Sequence, residues 1–246
     1  MILEGNVSVK AAIMAGNRDV HKLYMATEKH DRDSFFIMHR AIERGIEVVR
    51  CPREEIDALA EGRTHGGLIA EAGERRYQEI SDCLSDMPFV ALAEGVEDPF
   101  NLGYLMRSLH SAGCTGILLR MRDWSNVEQV ILKASAGAFD WMNVVLCEDL
   151  PGAVKSLRNQ GLYCYAAMRK DAISYLEADF RRPVLVGIGG EMRGLSSKVL
   201  KEMDQNICVP YANDFRNALN AAAAAAVIGF EVFRQRMQQN PAMQME

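Results

Sequence analysis

Residues 183–195 read PVLVGIGGEMRGL. An apolar run bounded by Pro183 and glycines has the pattern of a strand buried on both faces. The glycines after it let backbone approach a ligand closely. A dinucleotide fingerprint is the obvious rival, and it fails. Counted from Gly187, the sixth position of G-x-G-x-x-G is Met192, and the segment comes last but one among the strands rather than first. A Walker loop fails too, because no Gly-Lys-Ser/Thr is present. Glu191 follows the strand directly and is either a helix-start charge or a polar group facing a pocket.

The same alternation extends outward in both directions. Strand-like runs are PFVALAE, GILLR, MNVVLC, LYCYAA, PVLVGIG and NICVPY, with helical patterns over residues 102–111, 127–136, 150–159, 195–203 and 218–236. Near-continuous apolar strands separated by helices predict an α/β fold: a mostly parallel sheet with helices on both faces. A smaller α/β unit precedes it. There NVSVKAAIMAG reads as a helix, LYMAT as a strand, residues 34–44 as an amphipathic helix, IEVVRC as a strand, PREEIDALAEG as a helix and GGLIAEA as a strand. The expected organisation is a small domain over residues 1–73, a polar linker over 74–88, a main domain over 89–238 and a flexible tail over 239–246.

Composition removes several function classes. With 246 residues and 49% hydrophobic content, the chain can bury a real core. No stretch approaches the ~18 uninterrupted apolar residues of a membrane span, and Glu4 stands where a signal peptide carries basic charge. The expectation is a cytoplasmic protein without membrane contact. Six cysteines form no CxxC pair and sit mostly in apolar surroundings, so they read as reduced core residues. Five scattered histidines argue against a metal site. A net charge of −5 disfavours non-specific coating of nucleic acid. Local pairs such as Arg75-Arg76, Arg169-Lys170 and Arg181-Arg182 could still touch phosphates, although exposed pairs are usually solvated surface.

In such a sheet, ligands bind beyond the carboxyl ends of the strands. After PFVALAE comes a loop leading to Asn101, where a helix N-cap belongs, and then Arg107 on the same helix. A capping Asn and a surface Arg are the plain alternative. After NICVPY comes ANDFRNALN, residues 212–220, which ends in Ala218, Leu219 and Asn220, and then six alanines, a run that implies close packing of the last helix against a loop or a second subunit.

Taken in series, Asn101-x5-Arg107, the G-x-E-x-x-G-L loop from Gly189 and Ala218-Leu219-Asn220 resemble the three motifs of the SpoU (TrmH) branch of the SPOUT RNA methyltransferases. LKASAGAFDWMNV, residues 132–144, looks like the stretch between that family's first and second motifs. GNVSVKAAI and THGGLIAEA resemble its small RNA substrate-binding domain. The resemblance implies a trefoil knot at the C-terminal end, S-adenosylmethionine held largely by backbone, a homodimer with its site near the interface, and methyl transfer to a ribose 2′-hydroxyl of tRNA or rRNA. By match to the motifs, Arg107 would orient or deprotonate the hydroxyl, Asn101 and Glu191 would hold Arg107 and the loops, and Asn220 would complete the pocket. Gly189, Gly194, Val209 and Leu219 match cofactor-binding positions.

One departure matters. The third motif normally reads Ser-Leu-Asn, and this chain has Ala218. Phe100 stands where a His is common, a milder change. The alternative function is therefore a catalytically impaired relative that binds RNA, with or without S-adenosylmethionine, and leaves it unmodified. A nucleotide-dependent oxidoreductase is a weaker rival, given the failed glycine spacing.

Overall fold

The computed structural model describes residues 1–214 and 217–239. The chain forms two compact units, the first made of Met1–Arg76 and Ser125–Trp141, the second of Tyr77–Trp124 and the residues from Met142 onward.

The first unit opens with β1 (Ile2–Glu4), α1 (Gly5–Ala15), β2 (Val20–Ala26), α2 (Arg32–Glu43), β3 (Glu47–Cys51), α3 (Arg53–Leu59) and β4 (Leu68–Ala72). Its sheet runs β1-β4-β2-β3, with β2 and β3 parallel and the other pairs antiparallel. Gly16, with φ of 71°, closes α1 in the left-handed conformation that glycine adopts without strain. Asp31 caps α2 by accepting from the Ser34 N–H, which moves the helix start ahead of the expected residue 34.

The second unit contains β5 (Phe89–Glu94), α4 (Pro99–Ser111) and β6 (Gly116–Arg120). After β6 the chain leaves for the first unit as α5 (Glu128–Ala134) and α6 (Ala138–Trp141). It returns as β7 (Asn143–Cys147), α7 (Leu150–Asn159), β8 (Tyr163–Ala167), β9 (Ala172–Ser174), β10 (Val184–Gly189), α8 (Ser197–Leu200), β11 (Gln205–Cys208) and α9 (Ala221–Gln239). The seven strands pair in the order β7-β6-β5-β10-β8-β11-β9, every pair parallel. The order runs outward from β5 to β7 on one side and turns at the β5–β10 pair. That pair is the switch point at which an open parallel sheet forms its ligand crevice.

Helices cover both faces. Val90, Leu92, Leu118, Cys164 and Leu185 pack with Val154 and Leu157 of α7. On the opposite face lie α4 and α9, where Gly229 lets α9 approach Leu109 and Ala112. α4 buries Leu102, Leu105, Met106 and Leu109, the spacing of one helical face. Each such side chain contributes about 1.5–3 kcal/mol when taken fully out of water.

Several details differ from the sequence expectation. The segment read as a linker carries Cys83 into the core of the second unit, with Ile80 and Leu84 packed beside it. Its polarity hid the few apolar residues that anchor it. Residues 125–141, placed in the main domain by sequence order, pack with the first unit instead. The reason is a buried charge cluster: Arg18 pairs with Asp140 at 2.8 Å and with Glu128 at 3.2 Å. The helix expected over 195–203 is only the four residues of α8. The last helix starts at Ala221 rather than 218, because Asn220 caps it by accepting from the Ala223 N–H at 2.7 Å. β1, β9 and α6 are too short to show periodicity. The tail falls outside the described residues from position 240. Among the described residues, no helix is long and apolar enough to cross a membrane.

Candidate active site

Register fixes where the loops begin. Glu94 at the end of β5 lies directly opposite Gly189 at the end of β10, and Ala93 opposite Leu119 of β6. Ala167 at the end of β8 is level with Ile188 and with Ile207 of β11. The loops after all these strands therefore emerge at one edge of the sheet.

The β5 and β10 loops meet through glycines. The Gly190 N–H donates to the Glu94 carbonyl at 2.7 Å. A Cβ on Gly190 would overlap the Gly95 carbonyl oxygen, and one on Gly189 would overlap the backbone of Gly194. Gly95 itself takes a φ of 73°. The Ser196 N–H donates to the Glu94 carboxylate at 2.7 Å, pinning the far end of the β10 loop to β5.

Two connected cavities result. One, of about 430 Å³, is lined by Gly95–Asp98, Asn101, Gly190–Gly194 and Ala221. The other, of about 240 Å³, is more apolar, and Gly189, Gly194, Val209, Ala218, Leu219 and Ala224 are among its walls. Gly190, Glu191, Gly194 and Ala221 border both. Small side chains and exposed backbone make the second cavity suited to an apolar, flat group held by main-chain atoms.

Most predicted site residues converge here. Asn101 and Glu191 face each other across the first cavity, Asn101 Nδ2 lying 3.5 Å from Glu191 Oε1. Gly189, Gly194, Val209 and Leu219 all border the second. Leu219 is fixed by its N–H, which donates to the Tyr211 hydroxyl at 2.7 Å. Arg169 stacks on Tyr211, 4.2 Å from the ring centre, and donates to the Asn217 carbonyl.

Three residues are placed differently from the simplest expectation. Asn101 is not the cap of α4; Asp98 is, accepting from the Asn101 N–H at 2.7 Å. That frees the Asn101 side chain for Glu191. Asn220 spends its side-chain oxygen as the cap of α9. Arg107 lies on the exposed face of α4, two turns from Asn101, on the stripe that carries exposed Phe100 and Tyr104.

The basic pairs noted in the sequence are largely engaged. Arg75 is buried and donates to the Phe139 carbonyl, Arg76 pairs with Asp19, and Arg181 pairs with Asp179. Five cysteines are buried and Cys208 half-buried. Burial pushes the Cys114 thiol up to about 12 and Cys147 up to about 11, so these are inert packing groups. Among the described residues no cluster of His, Cys, Asp or Glu is arranged to hold a metal ion. Sequence reading missed Trp124 and the arginines near it, since Arg193 is about 70 residues from Arg120 and Arg122 and occupies a variable position of its loop motif.

Residues 88–230 match the model of the SpoU rRNA Methylase family, and residues 2–78 match the model described as RNA 2′-O ribose methyltransferase substrate binding. A Bacillus subtilis protein named for the TrmH family of tRNA/rRNA methyltransferases is 26% identical over 91% of both chains. A Synechocystis protein named as a tRNA/rRNA methyltransferase is 27% identical over 96% of this chain, which spans 62% of that relative's length. Among solved structures, the SpoU methyltransferase AviRb of Streptomyces viridochromogenes superposes with a TM-score of 0.79 at 20% identity, covering 97% of this chain and 90% of that one. Its complex with AdoMet gives 0.77 at 20% identity, over 97% and 91% of the two chains. These likenesses show the shared fold.

Proposed function

The chain belongs to the SpoU rRNA methylase family, and from that premise we propose that it transfers a methyl group from S-adenosylmethionine to a ribose 2′-hydroxyl of tRNA or rRNA. The observation that carries the reading is convergence. Asn101, Glu191, Gly189, Gly194, Val209 and Leu219 come from loops far apart in sequence and border two cavities that share a wall. The match of residues 2–78 to a substrate-binding model supports RNA as the substrate. So does an exposed Phe36 with Lys10 and Arg40 at 5.0 and 5.3 Å, each also paired with an acid, Asp33 and Glu43, an aromatic face with cations beside it on which a base could stack.

The residues present fit the cofactor. The second cavity offers backbone and small side chains where a Cβ on Gly189 would close the cradle. Gly189, Gly194, Val209 and Leu219 would hold S-adenosylmethionine there, and its sulfonium supplies an already activated methyl group. What remains for the chain is to align the ribose hydroxyl and manage its proton. Asn101 and Glu191 brace the mouth of the first cavity. Arg107 acts more readily by anchoring phosphate and stabilising the developing alkoxide than as a base, because guanidinium holds its proton above pH ~12. Asn220 fixes the start of α9 beside Leu219.

We propose further that the chain works as a symmetric homodimer through α4 and α9. Phe100 and Tyr104 on α4 and Phe230 on α9 are exposed at 53%, 49% and 47%, large apolar surface that association would cover. Arg107 lies on the same stripe of α4, so dimerisation would bring it to the interface. The test is transfer of tritiated methyl from S-adenosylmethionine to bacterial tRNA or rRNA, with nuclease digestion to nucleosides. Label in 2′-O-methylnucleosides is expected; label in methylated bases, or none with cofactor bound, overturns the proposal.

A further inference from the structure

β6 ends at Arg120, whose side chain is exposed at the sheet edge that carries the site. Two residues on, the Arg122 guanidinium lies 3.6 Å from the centre of the Trp124 ring. Trp124 is buried, 5% exposed, and its indole N–H has no hydrogen-bond partner. Arg193, from the β10 loop, closes the other side of the same cleft, whose volume is about 400 Å³. Among the described residues, the guanidiniums of Arg120, Arg122 and Arg193 have no hydrogen bond or ion pair. The walls carry two carboxylates, Glu94, which accepts the Ser196 N–H, and Glu97, against three guanidiniums, so the cleft keeps an excess of positive charge.

Unpaired arginines that converge on a cleft are a site for an anion. Guanidinium offers a planar fork of donors that matches phosphate oxygens, and stacking on an indole restricts that fork to fewer conformations. Position identifies the anion. The cleft shares Gly95, Val96, Glu97, Arg193 and Gly194 with the cavity of Asn101 and Glu191. A polymer whose ribose enters that cavity must run its backbone past this wall.

We infer that Arg120, Arg122 and Arg193 form a phosphodiester subsite that holds the RNA backbone beside the target nucleotide. The inference rests on the RNA methyl-transfer reading above. The three arginines position the substrate and take no part in the reaction.

The experiment compares wild type with the triple variant Arg120→Ala, Arg122→Ala, Arg193→Ala and with the matching Arg→Lys set. Unfractionated bacterial tRNA, rRNA and inorganic pyrophosphate serve as probes across a salt series. Trp141→Phe in every chain leaves Trp124 as the single fluorescent reporter, since the protein has two tryptophans. The alanine triple should bind RNA more weakly, with a salt slope shallower by about 0.7–0.9 per lost contact. The lysine set should keep most of the slope, S-adenosylmethionine affinity should be unchanged, and Trp124 emission should respond to RNA in wild type and the lysine set but not in the alanine triple. Wild-type RNA affinity and slope in the alanine triple would overturn the subsite while leaving the methyltransferase reading intact. Pyrophosphate binding lost in the triple without change in the RNA slope would assign the cleft to a small phosphorylated ligand and overturn the RNA assignment. A wild type that binds S-adenosylmethionine but neither RNA would remove both readings.

Discussion

Asn101 Nδ2 and Glu191 Oε1, 90 residues apart in the chain, lie 3.5 Å from each other across the mouth of the candidate active site. The distance is at the long limit of a hydrogen bond, as expected for a contact that tightens when substrate is bound. The pair joins the β5 loop to the β10 loop, so its removal should loosen both together. Asn101→Ala and Glu191→Ala are each expected to lower kcat by about 10²-fold, the scale of a positioned polar group, with little change in melting temperature. The double variant should lose little more than either single one, because the two act as a unit. A double-mutant cycle on methyl transfer checks this, and strict additivity would refute it.

Ala218 stands where the related motif carries a serine, and the structure places it on the wall of the second cavity beside Leu219. It is exposed rather than packed under α9. Ala218→Ser should therefore leave stability within about 0.5 kcal/mol, the ordinary range for a surface change, and keep or raise methyl transfer. Melting curves and the tritium assay check both halves. A wild type that is inactive and revived by this substitution would identify the chain as an RNA binder.

In the first unit, Arg18 and Asp140 are 2% and 0% exposed, and their contact ties residues 125–141 to the rest. Asp140→Ala removes the closer of the two carboxylates that compensate the buried Arg18 guanidinium, leaving only Glu128 at 3.2 Å, and should cost about 3 kcal/mol. Replacing the three charges together with apolar residues, Arg18→Met with Asp140→Leu and Glu128→Met, should recover much of that loss, because Arg18 also compensates Glu128. Denaturant unfolding measures the two values; equal losses would contradict the assignment of the cost to a broken charge cluster.

Glu4 gives the same unit a pH dependence. Burial pushes its carboxyl up, but the hydrogen bond from Lys133 and the N–H of Gly62 outweigh this and hold it below the ordinary value. The unfolded chain therefore takes up the proton at a higher pH than the folded one. The stabilisation is present above the ordinary glutamate pKa of about 4.3 and is lost as pH falls through the lower folded value. Glu4→Gln should melt lower than wild type at pH 7, with the gap closing as pH falls toward 3. A gap independent of pH would contradict it.

The parallel sheet was legible because its strands are buried on both faces, so PFVALA and PVLVGIG are near-continuous apolar runs that stand out against the helices. The site was legible as far as backbone chemistry dictates residue type. Gly189 and Gly190 have no room for a Cβ, so their identity reports their geometry. Asn101 and Asn220 are harder. Either could cap a helix, and the structure gives that task to Asp98 and Asn220. Long-range ion pairs leave no local pattern, so the attachment of residues 125–141 to the first unit through Arg18 was invisible. The same holds for Arg120, Arg122 and Arg193, which register alone brings to one cleft.

The central claim is 2′-O-methyl transfer dependent on Arg107. It is tested most directly by mapping ribose methylation across total RNA of the source organism's parent strain, a deletion strain, and deletion strains carrying wild type or Arg107→Ala. The account predicts that the deletion loses 2′-O-methylation at one or a few nucleotides, that wild type restores it, and that Arg107→Ala does not, although the purified variant binds S-adenosylmethionine as wild type does. Identical maps in parent and deletion, or full restoration by Arg107→Ala, would contradict it.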